Sequence, residues 1–190
     1  METKEIILTH EKVFAAHLAN AILAKPKLNA WMIFIPFIFV FYFQDLSKYK
    51  SQRKEFLENW LLSREKTLDE VAKARAENRV PGIDSLVDQA DLGTKPKEKY
   101  RVLLKVMEKH YDRLLQAQGD SYETLARAAY TSKGDYRFHI NQLLDAEKAL
   151  NKSLTPQLKK DNPDVTDTIT RIEKNSEKLR RLEIDRIFNG

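Results

Sequence analysis

Four histidines and no cysteine are the raw material for chemistry in this 190-residue chain. The missing thiol removes disulfide frameworks, thiolate zinc sites, iron–sulfur clusters and cysteine nucleophiles together. His10 and His17 stand seven residues apart on a helical stretch and so share a face, as two metal ligands would. No third ligand has matching spacing: Glu11 points about 100° away round the helix, and His-Glu-x-x-His does not occur. The pair therefore reads as polar residues at the edge of a packed or interfacial helix. His110 and His139 each adjoin an apolar stripe, at Tyr111 and Ile140. They read as hydrogen-bonding residues at the rim of a core. Asp112, two residues from His110, cannot face it on a helix.

Other chemistries find less. Asp69-Glu70 and Asp164 with Asp167 look like exposed or N-terminal helix charges, with no apolar setting to push a carboxyl pKa upward. There is no G-x-S-x-G elbow, no G-x-x-x-x-G-K-[ST] and no G-x-G-x-x-G. Only 5 glycines are present, too few for Gly-lined phosphate cradles. The expectation is a protein with no catalytic, cofactor-binding or metal-binding residues, and so not an enzyme.

Charge gives a weak pointer to partners. Lys and Arg number 33 against 28 Asp and Glu, a net +5 spread along the chain. That is unlike the dense basic field of a nucleic-acid binder, and nucleic acid is not expected as a partner.

One segment stands apart from this polar background. Residues 30–43 read AWMIFIPFIFVFYF, with 7 of the chain's 18 aromatic residues and no charge. Burying each large side chain is worth roughly 1.5–3 kcal/mol, so such a stretch belongs in lipid, protein or a partner. Extended to residues 28–47, it reaches about 30 Å as a helix, enough for a short membrane crossing. Trp31, Phe34, Pro36, Phe37, Phe39, Phe41 and Phe43 are the expected membrane-embedded residues. Lys25, Lys27, Lys48, Lys50, Arg53 and Lys54 form the expected collar on anionic headgroups. Pro36 in the middle also suits a re-entrant segment that leaves on the side it entered. Burial inside a soluble core or oligomer, or around an apolar ligand, is the third alternative. Six basic residues over 47–66 against three over 8–27 favour a cytoplasmic C-terminal part, single-pass, in an inner or plasma membrane.

The remaining chain reads as helices with clear punctuation. Residues 1–27 form an amphipathic helix with a stripe at Phe14, Leu18, Ala21 and Ile22, stopped by Lys25-Pro26-Lys27. Its small-residue face suits either a bilayer surface or another helix of the chain. Residues 28–47 are the membrane-spanning or re-entrant helix, and 48–80 a juxtamembrane stalk with Leu57, Leu61, Arg64, Leu68 and Val71 in line. Pro81-Gly82 opens a linker over 81–96. Residues 97–190 form a helical bundle. Its helices are punctuated by Gly119, a capping box from Asp120 to Glu123, a cap at Asp135 and a polar break from Thr155-Pro156 to Asn162-Pro163. Asp164 is expected to cap a last helix with Val165, Ile169, Ile172, Leu179 and Leu182 inward.

The fold class is all-α. The function expected from this order of parts is a non-enzymatic membrane-anchored helical adaptor or accessory subunit. Its bundle would meet a protein partner, or itself, through Arg180, Arg181 and Arg186.

Overall fold

Apolar residues at helical spacing, bounded by caps, make every described element a helix. The computed structural model describes residues 2–23, 52–161 and 165–189. In chain order these hold α1 (Thr3–Leu23), α2 (Gln52–Ala76), α3 (Ile83–Asp88), α4 (Thr94–Gln116), α5 (Tyr122–Ala129), α6 (Lys133–Asp161) and α7 (Val165–Asn189). No strand occurs among the described residues. Five long helices form the bundle, and α3 and α5 serve its connections.

The inward faces follow the expected stripes closely in α4, where Tyr100, Leu103, Leu104, Met107, Tyr111 and Leu114 are all buried. Three boundaries fall differently. Asn78, in the left-handed conformation at φ 50°, ends α2 ahead of Pro81-Gly82, and Arg79 N–H closes on the Ala74 carbonyl at 2.9 Å. The capping box opening α5 is Ser121 with Thr124, one residue later than Asp120 and Glu123. Thr124 N donates to Ser121 Oγ at 3.2 Å and Ser121 N to Thr124 Oγ1 at 3.0 Å. Ser132 rather than Asp135 caps α6, its Oγ accepting from Asp135 N at 3.1 Å.

The break expected at Thr155-Pro156 does not form, for α6 runs through Pro156 to Asp161. An interior proline costs about 3 kcal/mol. Burial of Leu154 and Leu158, one turn apart, offsets it. Thr155 Oγ1 adds a hydrogen bond to the Asn151 carbonyl at 2.8 Å.

Among the long helices the pairs α1–α2, α1–α7, α4–α6 and α6–α7 run antiparallel, and α2 and α4 run parallel. Residues 77–93 carry the chain back along the bundle, with α3 lying antiparallel on α4 through Asp84–Arg101 at 2.7 Å and Asp88–Lys97 at 3.2 Å. Arg75 then meets Asp112 at 2.7 Å across two parallel helices. The α4–α6 pair is antiparallel through Arg113–Asp135 at 3.2 Å. The α6–α7 pair is held by Lys133–Asp185 at 2.8 Å and Lys148–Glu177 at 3.2 Å.

α1 belongs to this bundle. Ile6, Ile7, Phe14, Ala15, Leu18, Ala19 and Ile22 are buried in it, whereas Ala21 faces out. Contacts step down α1 as they step up α2: Lys4 with Asp69 at 2.9 Å, Glu11 with Arg64 at 3.2 Å, Phe14 with Trp60 at 6.0 Å between rings. The C-terminal end of α1 and the N-terminal end of α2 therefore lie at the same end of the bundle. A single crossing by residues 28–47 would put α1 and α2 on opposite sides of a membrane, which their shared core forbids. The single-pass topology, and the orientation drawn from basic residues on its two flanks, are corrected accordingly. Likewise α2 is no projecting stalk: Phe56, Trp60, Leu68 and Val71 are buried in the same body. Among the described residues no helix is long and apolar enough to cross a membrane.

Candidate functional site

The centre of the bundle is polar. Charged residues occupy inward positions on four helices: Glu11 on α1, Arg64 on α2, Glu147 on α6, and Arg180 and Glu183 on α7, all buried. A buried charge persists only when paired and hydrogen-bonded, and each of these is.

Arg64 is the hub of the first cluster. Its Nε lies 3.2 Å from Glu11 and its Nη2 2.6 Å from Glu147. Its Nη1 donates to the Trp60 carbonyl at 3.1 Å, and the guanidinium sits 4.0 Å over the Trp60 ring. Tyr111 OH donates to the other Glu11 oxygen at 2.9 Å. Arg180 reaches the shared Glu147 oxygen at 3.4 Å and lies 4.5 Å over Phe14. Desolvation opposes the charge of Arg180, and the carboxylates of Glu147, Glu183 and Glu11 outweigh it.

The second cluster is a chain of hydrogen bonds ending on Glu183. Tyr136 OH donates to Glu183 Oε1 at 2.6 Å, and His10 Nε2 lies 3.0 Å from Oε2. Tyr122 OH is 3.1 Å from Tyr136 OH, His110 Nε2 is 3.1 Å from Tyr122 OH, and Tyr130 OH is 2.7 Å from His110 Nδ1. An ionised carboxylate only accepts, so the direction of every link follows. Tyr136 spends its proton on Glu183 and accepts from Tyr122; Tyr122 in turn accepts from His110. His110 is thereby the Nε2–H tautomer, with Nδ1 accepting from Tyr130.

Each protonation state has a cause. Desolvation raises the Glu183 pKa, but the hydrogen bond from His10, with Arg180 and Tyr136, brings it below the ordinary value. Burial holds the Tyr122 and Tyr136 phenols well above theirs, assisted by the charge of Glu183. Burial also drives His110 well below an ordinary imidazole. His139, stacked on His110 at 4.3 Å, falls to about 3, from desolvation first and then from the positive charges of Arg180 and Arg113. His139 Nε2 has no hydrogen-bond partner.

Among the described residues, two of the clefts reach the histidines of this core. One, about 260 Å³ between α4 and α6, is lined by His110, Tyr130 and His139 with Arg113 and Phe138 at its sides. The other, about 190 Å³ between α1 and α7, is lined by His10, His17 and Glu183 with Val13, Leu182 and Arg186. The one-heptad spacing of His10 and His17 does put both on one cleft. Among the described residues no group of three or more His, Cys, Asp or Glu could hold a metal ion.

The residues singled out from the sequence separate into three sets. Trp31, Phe34, Pro36, Phe37, Phe39, Phe41, Phe43, Lys25, Lys27, Lys48 and Lys50 lie outside the described residues, as does the Arg53 side chain. Lys54 is exposed, 4.0 Å from Glu58. Of the three arginines offered as a contact surface, Arg180 is only 5% exposed and belongs to the core. Arg181, paired with Glu177, and Arg186, 3.0 Å from Glu123, do face outward.

The inward turn of Arg180 follows from a rotated α7 face. Val165, Ile169 and Ile172 are buried as expected, but beyond them Ser176, Arg180, Glu183, Ile184 and Ile187 face in, and Leu182 is 57% exposed. The signal was present as spacing: residues 176, 180, 183 and 187 repeat by four, three and four, as do 143, 147, 150 and 154 on α6. A charged residue inside such a run needs a partner of opposite sign on a facing helix.

Comparison with protein-family models, with curated proteins and with solved structures finds no match to this chain.

Proposed function

We propose that this chain is a membrane-attached helical adaptor whose bundle lies wholly on one side of the bilayer, held there by residues 28–47 entering and leaving the same face. The observation that carries the reading is the antiparallel packing of α1 on α2, which starts and finishes residues 24–51 at one end of the bundle. Two full crossings need about 40 residues, more than this interval holds. A re-entrant path, with Pro36 at its turn, suits both its length and its aromatic content. Lys25, Lys27, Lys48 and Lys50 then collect on one membrane face, where each basic residue gains about 1 kcal/mol from anionic lipid. The outward side of α7, with Arg181, Leu182 and Arg186, is the surface offered to a protein partner.

The test uses a chain in which a short Gly-Ser linker replaces residues 24–51. Deleting the N-terminal 45 residues would not serve, because it strips α1 from the core. Full-length protein should resist alkaline carbonate and yield to detergent, and the linker variant should be soluble with unchanged helicity. Protease added to sealed vesicles should reach the N-terminus and the bundle from the same side. Full-length protein that is soluble without detergent would instead place the aromatic segment inside an oligomer.

A further inference from the structure

His10 occupies an unusual position in the cleft between α1 and α7. Its ring lies flat on Tyr122, centroids 3.4 Å apart and planes within 1°. Its Nε2 is 3.0 Å from Glu183 Oε2, and Tyr136 fixes the other carboxylate oxygen at 2.6 Å. The imidazole is thus held in tilt and rotation through one face and one nitrogen. Nδ1 has no hydrogen-bond partner among the described residues, and the ring lines the cleft. A carboxylate accepting from one imidazole nitrogen selects the tautomer whose other nitrogen carries the lone pair. That is the arrangement of a positioned base: the ring lines the cleft, and its orienting carboxylate is itself anchored.

We propose that this cleft is a proton-transfer site, in which His10 Nδ1 is the general base toward a small, largely apolar carbon acid and Glu183 is its positioning residue. The cleft, about 190 Å³, has room for a ligand of one or two rings. Val13, 46% exposed, and Leu182, 57% exposed, supply apolar walls at its mouth. Arg186, 3.0 Å from Glu123, stands at the rim with its side chain 56% exposed. In the step, Nδ1 takes a proton from a carbon beside a carbonyl. The C–H electron pair moves into the carbonyl to form an enolate, and the imidazolium lies against ionised Glu183. Return of the proton to the substrate completes the cycle with no oxidant or reductant. This activity stands apart from membrane attachment and needs only the bundle.

The test is the full-length protein, in detergent, with 5-nitrobenzisoxazole as probe. Removal of its C–H proton breaks the N–O bond, forms the nitrile and releases a coloured phenolate, so base strength and positioning are read directly. The expected result is saturable turnover about a hundredfold or more above free imidazole at equal concentration. His10→Phe, which keeps the stack on Tyr122, should return the rate to background. Glu183→Gln should lower kcat and leave KM in place, because it disturbs the orientation of the base and keeps the volume of the cleft wall. Val13→Trp, made from the exposed rim, should block entry and remove saturation without touching the core. Should His10→Phe fail to fold by circular dichroism, Val13→Trp decides. A wild-type rate no higher than imidazole, or unchanged in either His10→Phe or Val13→Trp, overturns the proposal.

Discussion

Lowering the pH from 7.5 to 5.0 should destabilise this bundle through two histidines that the fold keeps neutral, and the amount can be worked out. His139 falls from 6.5 to about 3 in the folded protein, chiefly by desolvation, and His110 moves in the same direction for the same reason. A depressed folded pKa means that the unfolded chain binds the proton first. The stability is complete above about 6.5, declines as pH falls toward the folded value, and is gone below it. Between pH 6.5 and 5.0 His139 alone removes about 2 kcal/mol, at about 1.4 kcal/mol per pH unit, and His110 acts in the same direction. Set against the 5–15 kcal/mol typical of a domain, that loss is measurable. Glu183 does not enter this window, because its pKa lies below the ordinary carboxylate value and it stays ionised at pH 5. The assay is urea unfolding of wild type and His139→Phe at several pH values from 7.5 to 5.0. The replacement keeps a ring against His110 and removes a nitrogen that has no partner. The variant should lose about 2 kcal/mol less than wild type over this range. His10 and His17 are common to both proteins and cancel in the difference. Equal losses in the two proteins would show His139 to be protonated in the folded state and would refute the reasoning.

Two further outcomes follow from the same core. Replacing Arg64 by Met leaves Glu11 with Tyr111 OH alone and Glu147 with only the 3.4 Å contact to Arg180, so unfolding should become easier by about 3–5 kcal/mol, seen as a fall of roughly 6–20 °C in Tm. A fall under about 2 °C would mean that the carboxylates find other partners. A Cβ on Gly119 would stand 2.8 Å from the backbone nitrogen of Leu125 and would also collide with Thr124 Oγ1. Gly119→Ala should therefore cost about 1–3 kcal/mol and loosen the start of α5, measurable as faster amide exchange at residues 122–125; unchanged exchange would contradict it.

What the sequence determined by itself is local. Helix identity, the inward stripes of α4 and the first half of α7, and the stop near Asn78 and Pro81 depend on spacing and backbone preference, which neighbouring residues supply. Arg64 in line with Leu61 and Leu68 already carried a hint of a charged core. The tertiary structure decided the rest. Whether Leu182 or Glu183 faces inward turns on about 100° of rotation of α7, and it is settled by His10 and Tyr136 on other helices, each bonded to Glu183. Pro156 stays helical because Leu154 and Leu158 meet a core. The antiparallel α1–α2 pair, which brings Leu23 and Gln52 to the same end of the bundle, depends on Glu11–Arg64 and Phe14–Trp60, residues tens of positions apart. Pairing between distant segments leaves no periodic trace in either, so only the folded chain brings these histidines, tyrosines and carboxylates into one hydrogen-bonded centre.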